Sequence, residues 1–257
     1  MDLRQLTQII GMVLTPAEFI VCGLALLRRL WRSLPYFTAY LVLLVIIEGV
    51  RAAVNLATGN ISRPYVWTYW MTQPVLILAR GAGLVDVFRA ALGMYTGVWR
   101  LARALLAVAA TFMLGFAAVH TGGTQRISSY VIFVERELEF AALVSLLLLL
   151  VMCRYYGAAL DRPLDGIALG LGIYSSVVVI SGSILVGPFS LSVWVVSLAR
   201  IVAFNAAVFI WGYALWAPLP ARARPELSSV ESYEQKTRAV SGRMRELNER
   251  LSNLMKR

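Results

Sequence analysis

The chain has 257 residues, 59% hydrophobic and 15% charged, with a formal net charge of +10 and a mean hydropathy of +0.71. This balance excludes an ordinary soluble domain and points to an integral membrane protein. The basic excess would suit a nucleic acid, but its placement tracks the ends of apolar segments, so the expected partner is the lipid bilayer and not a polyanion.

A membrane crossing needs roughly 20 mostly apolar residues, because a helix rises about 1.5 Å per residue and the hydrocarbon is about 30 Å thick. Seven stretches qualify in chain order: 5–27, 35–57, 65–88, 104–120, 130–153, 164–186 and 190–216. The expected fold is therefore all-α, a seven-transmembrane helix bundle. Arg28, Arg29, Arg32, Arg89, Arg100, Arg103, Arg154, Arg162, Arg222 and Arg224 fall on one side of these spans; Arg4, Arg63 and Arg126 fall on the other. Ten against three in short loops predicts the N-terminus outside and the C-terminus in the cytoplasm. The first span has its basic cluster after the apolar run, opposite to a signal peptide, and is expected to be retained.

Pro16 and Pro74 are candidate kinks within the first and third spans. The third span opens with Tyr65, Trp67, Tyr69 and Trp70, read as an interfacial aromatic belt with an aromatic ligand cage as the alternative. Gly166 and Gly170 form a GxxxG pair in the sixth span, which predicts close approach to a neighbouring helix. Cys22 and Cys153 lie near the cytoplasmic ends of their spans, where a structural disulfide is not expected, and read as packing residues.

Ionisable groups inside spans cost roughly 2.5–3.5 kcal/mol each on insertion scales, so each needs a partner or a function. Glu48, Glu139 and Arg200 count to about 13–15 Å from the outer ends of their spans, and Glu18 and Arg80 to about 20–23 Å. Two layers follow: an outer site of Glu48, Arg51, Glu135, Arg136, Glu139, Arg200 and Asn205, with a Glu139–Arg200 pair at its centre, and an inner Glu18–Arg80 pair. Arg136 is also within reach of Glu139 at i+3. These groups read either as a paired polar core that fixes helix register, as an outward-facing ligand pocket, or as a path for protons or cations.

The inventory excludes several chemistries. One histidine, His120, rules out bis-histidine haem and a multi-histidine zinc site. The only lysines, Lys236 and Lys256, lie beyond the last span, so a retinal Schiff base inside the bundle is excluded. No catalytic constellation, cofactor motif or metal motif remains, and an enzyme is not expected.

After Pro218, Pro220 and Pro225 the composition changes. Residues 1–217 form the membrane portion, 218–229 a Pro-rich linker and 230–257 a cytoplasmic coiled coil. Its core positions are Val230, Tyr233, Thr237, Val240, Met244, Leu247, Leu251 and Leu254, spaced 3 and 4 without a break. The g positions Lys236, Arg243, Arg250 and Arg257 are all basic, which disfavours an antiparallel homodimer and predicts a parallel homo-oligomer. An amphipathic helix lying on anionic lipid is the other reading.

Several motifs carry a resemblance. Glu135-Arg136-Glu137-Leu138, the run Leu146 to Leu150, Asp165-Gly166-Ile167-Ala168-Leu169-Gly170-Leu171-Gly172-Ile173-Tyr174, Phe209-Ile210-Trp211-Gly212-Tyr213 and Tyr65-Val66-Trp67-Thr68-Tyr69-Trp70 resemble a family of bacterial seven-helix membrane proteins with no assigned activity. The resemblance covers most of residues 1–217 and implies a bacterial inner-membrane location. The leading expectation is a receptor-like or sensor-like protein with a polar pocket facing outward and a cytoplasmic signalling partner. An oligomeric channel or proton/cation pathway, and a structural subunit of a membrane assembly, are the alternatives.

Overall fold

The computed structural model describes residues 3–59, 62–93, 127–156, 160–186 and 193–216, with scattered helical positions between 99 and 115. The described residues are helical, with no strands. Six α-helices run in chain order: α1 (Leu3–Leu27), α2 (Pro35–Thr58), α3 (Arg63–Leu92), α4 (Ile127–Tyr156), α5 (Arg162–Val186) and α6 (Val193–Trp216). A short 3-10 turn, Leu30–Arg32, joins α1 to α2.

Local chemistry sets the helix ends. Pro35 opens α2, where its missing N–H leaves no intrahelical bond unmade. The Ser62 hydroxyl accepts the Tyr65 N–H at 3.3 Å and caps α3. Gly59 ends α2 with φ 81, a left-handed conformation that glycine adopts without a Cβ clash. The α2 N-terminus is also capped in space: Asp86 of α3 accepts the Tyr36 and Phe37 N–H groups at 2.5 and 3.1 Å. A carboxylate there meets unbonded donors at the positive end of the helix dipole.

The helices pack in a ring: α1 on α2, α2 on α3, α3 on α4, α4 on α5, α5 on α6 and α6 back on α1, with α3 also touching α5. Arg28, just past α1, donates to the Trp216 carbonyl at the end of α6 at 2.7 Å, so these two helices finish side by side. The centre is aromatic. Phe37 and Tyr40 of α2 meet Trp211 of α6 edge-on, with ring centroids 5.3 and 6.2 Å apart. Trp211 donates its indole N–H to the Ile167 carbonyl at 3.2 Å. Gly166 and Gly170 present the GxxxG face to that helix, where an added Cβ would meet Ala214 at one position and the Trp211 indole at the other. Cys22 and Cys153 are buried free thiols.

Three helices are long and apolar enough to cross a membrane: Pro35–Thr58, Arg162–Leu185 and Val193–Trp216. The sequence reading expected seven, so the count met by both criteria among the described residues is smaller. Helices α3 and α4 have the length, at 30 residues each, but carry ionisable side chains along them. In α1 the described apolar part is Thr15–Leu27. The fourth expected span, with His120, falls largely outside the described residues, as do the linker and the whole heptad segment from Val230 to Leu254.

Candidate functional site

Six ionisable side chains, Glu48, Arg51, Arg80, Glu135, Glu139 and Arg200, form one connected network that reaches across five helices with the help of an amide and two hydroxyls. It starts on α2, where Arg51 donates to Glu48 one turn earlier at 2.8 Å. The same guanidinium donates to Thr72 at 2.9 Å and to the Gln73 Oε1 at 3.0 Å, and lies over the Tyr69 ring at 4.5 Å. Gln73 passes the chain on through its amide, donating to the Glu135 Oε1 at 3.0 Å. One amide thus links a cation on α2 to an anion on α4.

Glu135 is the hub. Its Oε2 accepts from Arg200 of α6 at 3.0 Å, and its Oε1 stands 3.7 Å from Arg80 of α3. Arg80 is ion-paired to Glu139, one turn further along α4. Glu139 accepts the Ser175 hydroxyl at 2.5 Å, and Arg200 donates to the Ser181 hydroxyl at 2.6 Å, so α5 is tied in twice. The Arg80 guanidinium also lies 4.5 Å above the Tyr174 ring. Three carboxyl groups, Glu48, Glu135 and Glu139, thus match three guanidiniums, Arg51, Arg80 and Arg200, in number.

The expected residues are thus largely gathered, but the pairings differ. Glu139 pairs with Arg80 and not with Arg200; Arg200 pairs with Glu135. Glu18 does not pair with Arg80: it is buried, and its Oε2 has no hydrogen-bond partner among the described residues. Among the described residues Glu48 pairs with Arg51. Arg136 pairs with its chain neighbour Glu137 and lies over Phe133, outside the network, and does not reach Glu139. Asn205 is buried but donates to the Ile201 carbonyl of its own helix at 2.8 Å. The two-layer expectation used depth along each helix. Contact also requires matching azimuth, which 3.6 residues per turn sets independently of depth.

Gln73, Ser175, Ser181 and Tyr174 are members that residue reading missed as partners, because a neutral polar side chain costs less to bury than a charge and a hydroxyl can satisfy itself on its own helix. Gln73 at least had a signal, standing one residue before Pro74 in the span that carries Arg80. In the aromatic stretch opening α3, Tyr69 faces Arg51, while Trp67 is exposed.

A cavity of about 310 Å³ lies beside the network, bordered by α3, α4, α5 and the helical positions Arg103, Leu106 and Ala107. Its walls are mostly apolar, and Arg80, Arg103, Glu139, Ser145 and Ser175 contribute the polar part. Among the described residues no three His, Cys, Asp or Glu side chains stand close enough to hold a metal ion. No family model, curated protein or solved structure matches the chain. Its membrane character rests on three apolar helices of spanning length.

Proposed function

We propose that the chain is a receptor-like or sensor-like integral membrane protein of seven helices, with the N-terminus outside and the C-terminus in the cytoplasm of a bacterial inner membrane. A parallel coiled coil over residues 230–257 would assemble it, and a cytoplasmic partner would take the signal. The observation that carries this reading is the network centred on Glu135 and Arg80. Each helix from α2 to α6 holds a member, so moving one helix breaks a bond on another.

Magnitudes favour a switch. Breaking one buried ion pair costs about 3–5 kcal/mol. Shifting a two-state equilibrium from 1:99 to 99:1 takes about 5.5 kcal/mol. A ligand that displaces a single partner therefore acts on the scale needed to rearrange the bundle. The topology draws support from Arg28 and Arg162, which bond to Trp216 and Tyr213 respectively and so gather at one end with the finish of α6.

Glu18 favours a second reading, a proton or cation pathway. It is a buried carboxyl group outside that set, with an oxygen lacking a hydrogen-bond partner among the described residues. Reconstitution into liposomes with an internal pH-sensitive dye separates the two. The receptor-like reading expects no flux at any imposed pH or voltage. Flux that disappears in Glu139→Gln would overturn it and favour the pathway.

A further inference from the structure

We infer that the cavity beside the network seats one acyl chain of an anionic phospholipid, whose phosphate is held at the rim by the Arg103 guanidinium. This goes beyond the receptor-like reading and does not depend on it, since it names a lipid that the bundle takes up whether or not it signals.

Most of the wall offers an occupant apolar contact and little else. Ile77, Leu84, Leu138, Ala142, Leu146 and Leu171 line it. Arg80, Glu139 and Ser175 also border it, but they are engaged with one another: Ser175 donates to Glu139, and Glu139 is ion-paired to Arg80. The Arg80 Nε and Nη2 are buried, so neither nitrogen is offered to an occupant. An acyl chain asks for no polar partner there, and seating one removes apolar wall from any contact with water.

The remaining polar lining is of a different kind. Arg103 borders the cavity and is exposed, and among the described residues no carboxylate lies within ion-pair distance of it. Ser145 borders it half-buried. Among the described residues its hydroxyl makes no hydrogen bond, whereas Ser176 and Ser183 bond back to their own helix. An unpaired cation and a hydroxyl beside an apolar cleft match a phospholipid in kind: phosphate for the guanidinium, an ester oxygen for the hydroxyl, an acyl chain for the cleft. The occupant has a way in. Leu78 and Gly81 of α3 line the cavity and are exposed, as is Ala107, so the cleft opens on the flank of the bundle where acyl chains lie. Arg103 also belongs to the basic set gathered on one side of the apolar spans, where basic pockets between helices take anionic headgroups.

The test is photolabelling of the full chain in phosphatidylcholine nanodiscs, with a trace of phosphatidylglycerol carrying a diazirine on one acyl chain. Digestion and mass spectrometry locate the label. The inference expects it on α3 between residues 77 and 85 and on α4 between 138 and 146. Replacing the host lipid by unlabelled phosphatidylglycerol of the same chains should lower labelling about fivefold, the effect of one basic residue on an anionic headgroup. Arg103→Gln should abolish that difference. Arg32→Gln, which removes an exposed basic residue away from the cavity, should keep it. Gly81→Leu tests the cleft itself. A Cβ at Gly81 meets nothing within 4 Å, so the fold should keep its melting temperature while the side chain narrows the cleft and cuts labelling severalfold. Equal labelling in the two hosts, a difference that survives Arg103→Gln or is lost in Arg32→Gln, or labelling unaffected by Gly81→Leu would overturn the inference. So would oleate displacing the probe better than phosphatidylglycerol does, which would give the cleft to a free fatty acid. None of these results bears on the receptor-like reading, which the flux assay decides separately.

Discussion

Glu135 and Arg200 meet at 3.0 Å across α4 and α6, and the same carboxylate takes the Gln73 amide and stands beside Arg80. One glutamate therefore holds groups from α3, which packs on α4, and from α6, which does not. Its removal leaves the part-buried Arg200 without its anion and Arg80 with Glu139 alone, whereas loss of Arg200 leaves Glu135 with Arg80 and Gln73.

The first prediction is an asymmetry. Glu135→Leu should destabilise the protein by about 3–5 kcal/mol, and Arg200→Met by less. The double variant should recover part of the loss, giving a clear coupling energy in a double-mutant cycle followed by denaturation in detergent. Glu139 and Arg200 have no direct contact, so the same cycle on that pair should give a smaller coupling. Equal couplings would contradict the pairings described above.

Asp86 offers a second test. Asp86→Ala takes away the acceptor for two N–H groups at the start of α2 and should cost about 1–2 kcal/mol, in the range of a lost helix cap. Asp86→Asn keeps a carbonyl oxygen at the same place and should cost clearly less. Thermal melts of both variants in one detergent give the comparison, and an equal loss in the two would show that the charge and not the acceptor matters.

Packing of α5 on α6 predicts a contrast among glycines. Gly170→Leu puts a side chain into the Trp211 indole and should destabilise by about 1–3 kcal/mol or more through overpacking. Gly23→Ala on α1 meets nothing within 4 Å and should gain up to about 1 kcal/mol of helix propensity. Circular dichroism melts monitored at the helical band would separate them.

The heptad segment carries the fourth prediction. Ending the chain after Pro225 should convert a parallel homo-oligomer into monomer, read by multi-angle light scattering with the detergent contribution subtracted. An unchanged mass would remove the coiled coil from the proposal and leave the amphipathic surface helix.

Residue reading found the carboxylates and guanidiniums of the network, because a charge in an apolar run is conspicuous by its cost. Glu48, Arg51, Glu135, Glu139, Arg80 and Arg200 all join it. The same reading assigned Arg80 to Glu18 and Arg200 to Glu139, and it passed over Gln73, Ser175 and Ser181, whose hydroxyls and amide carry the links between helices. It also placed Asn205 beside Arg200, where the side chain instead bonds back along its own helix.

The sequence by itself determined the helical class, because long apolar runs leave the backbone no hydrogen-bond partners except its own. It also marked the GxxxG face for close packing, since small side chains in a row can only serve approach. Which charges meet was decided by tertiary structure alone. Depth along a helix can be counted from one chain, but the face that Arg80 or Glu135 presents depends on how α3, α4 and α6 are rotated and tilted in the ring. That rotation is set by side chains distant in sequence, among them Phe37, Tyr40 and Trp211 at its centre, and it is why Arg80 turns to Glu139 and leaves Glu18 without it.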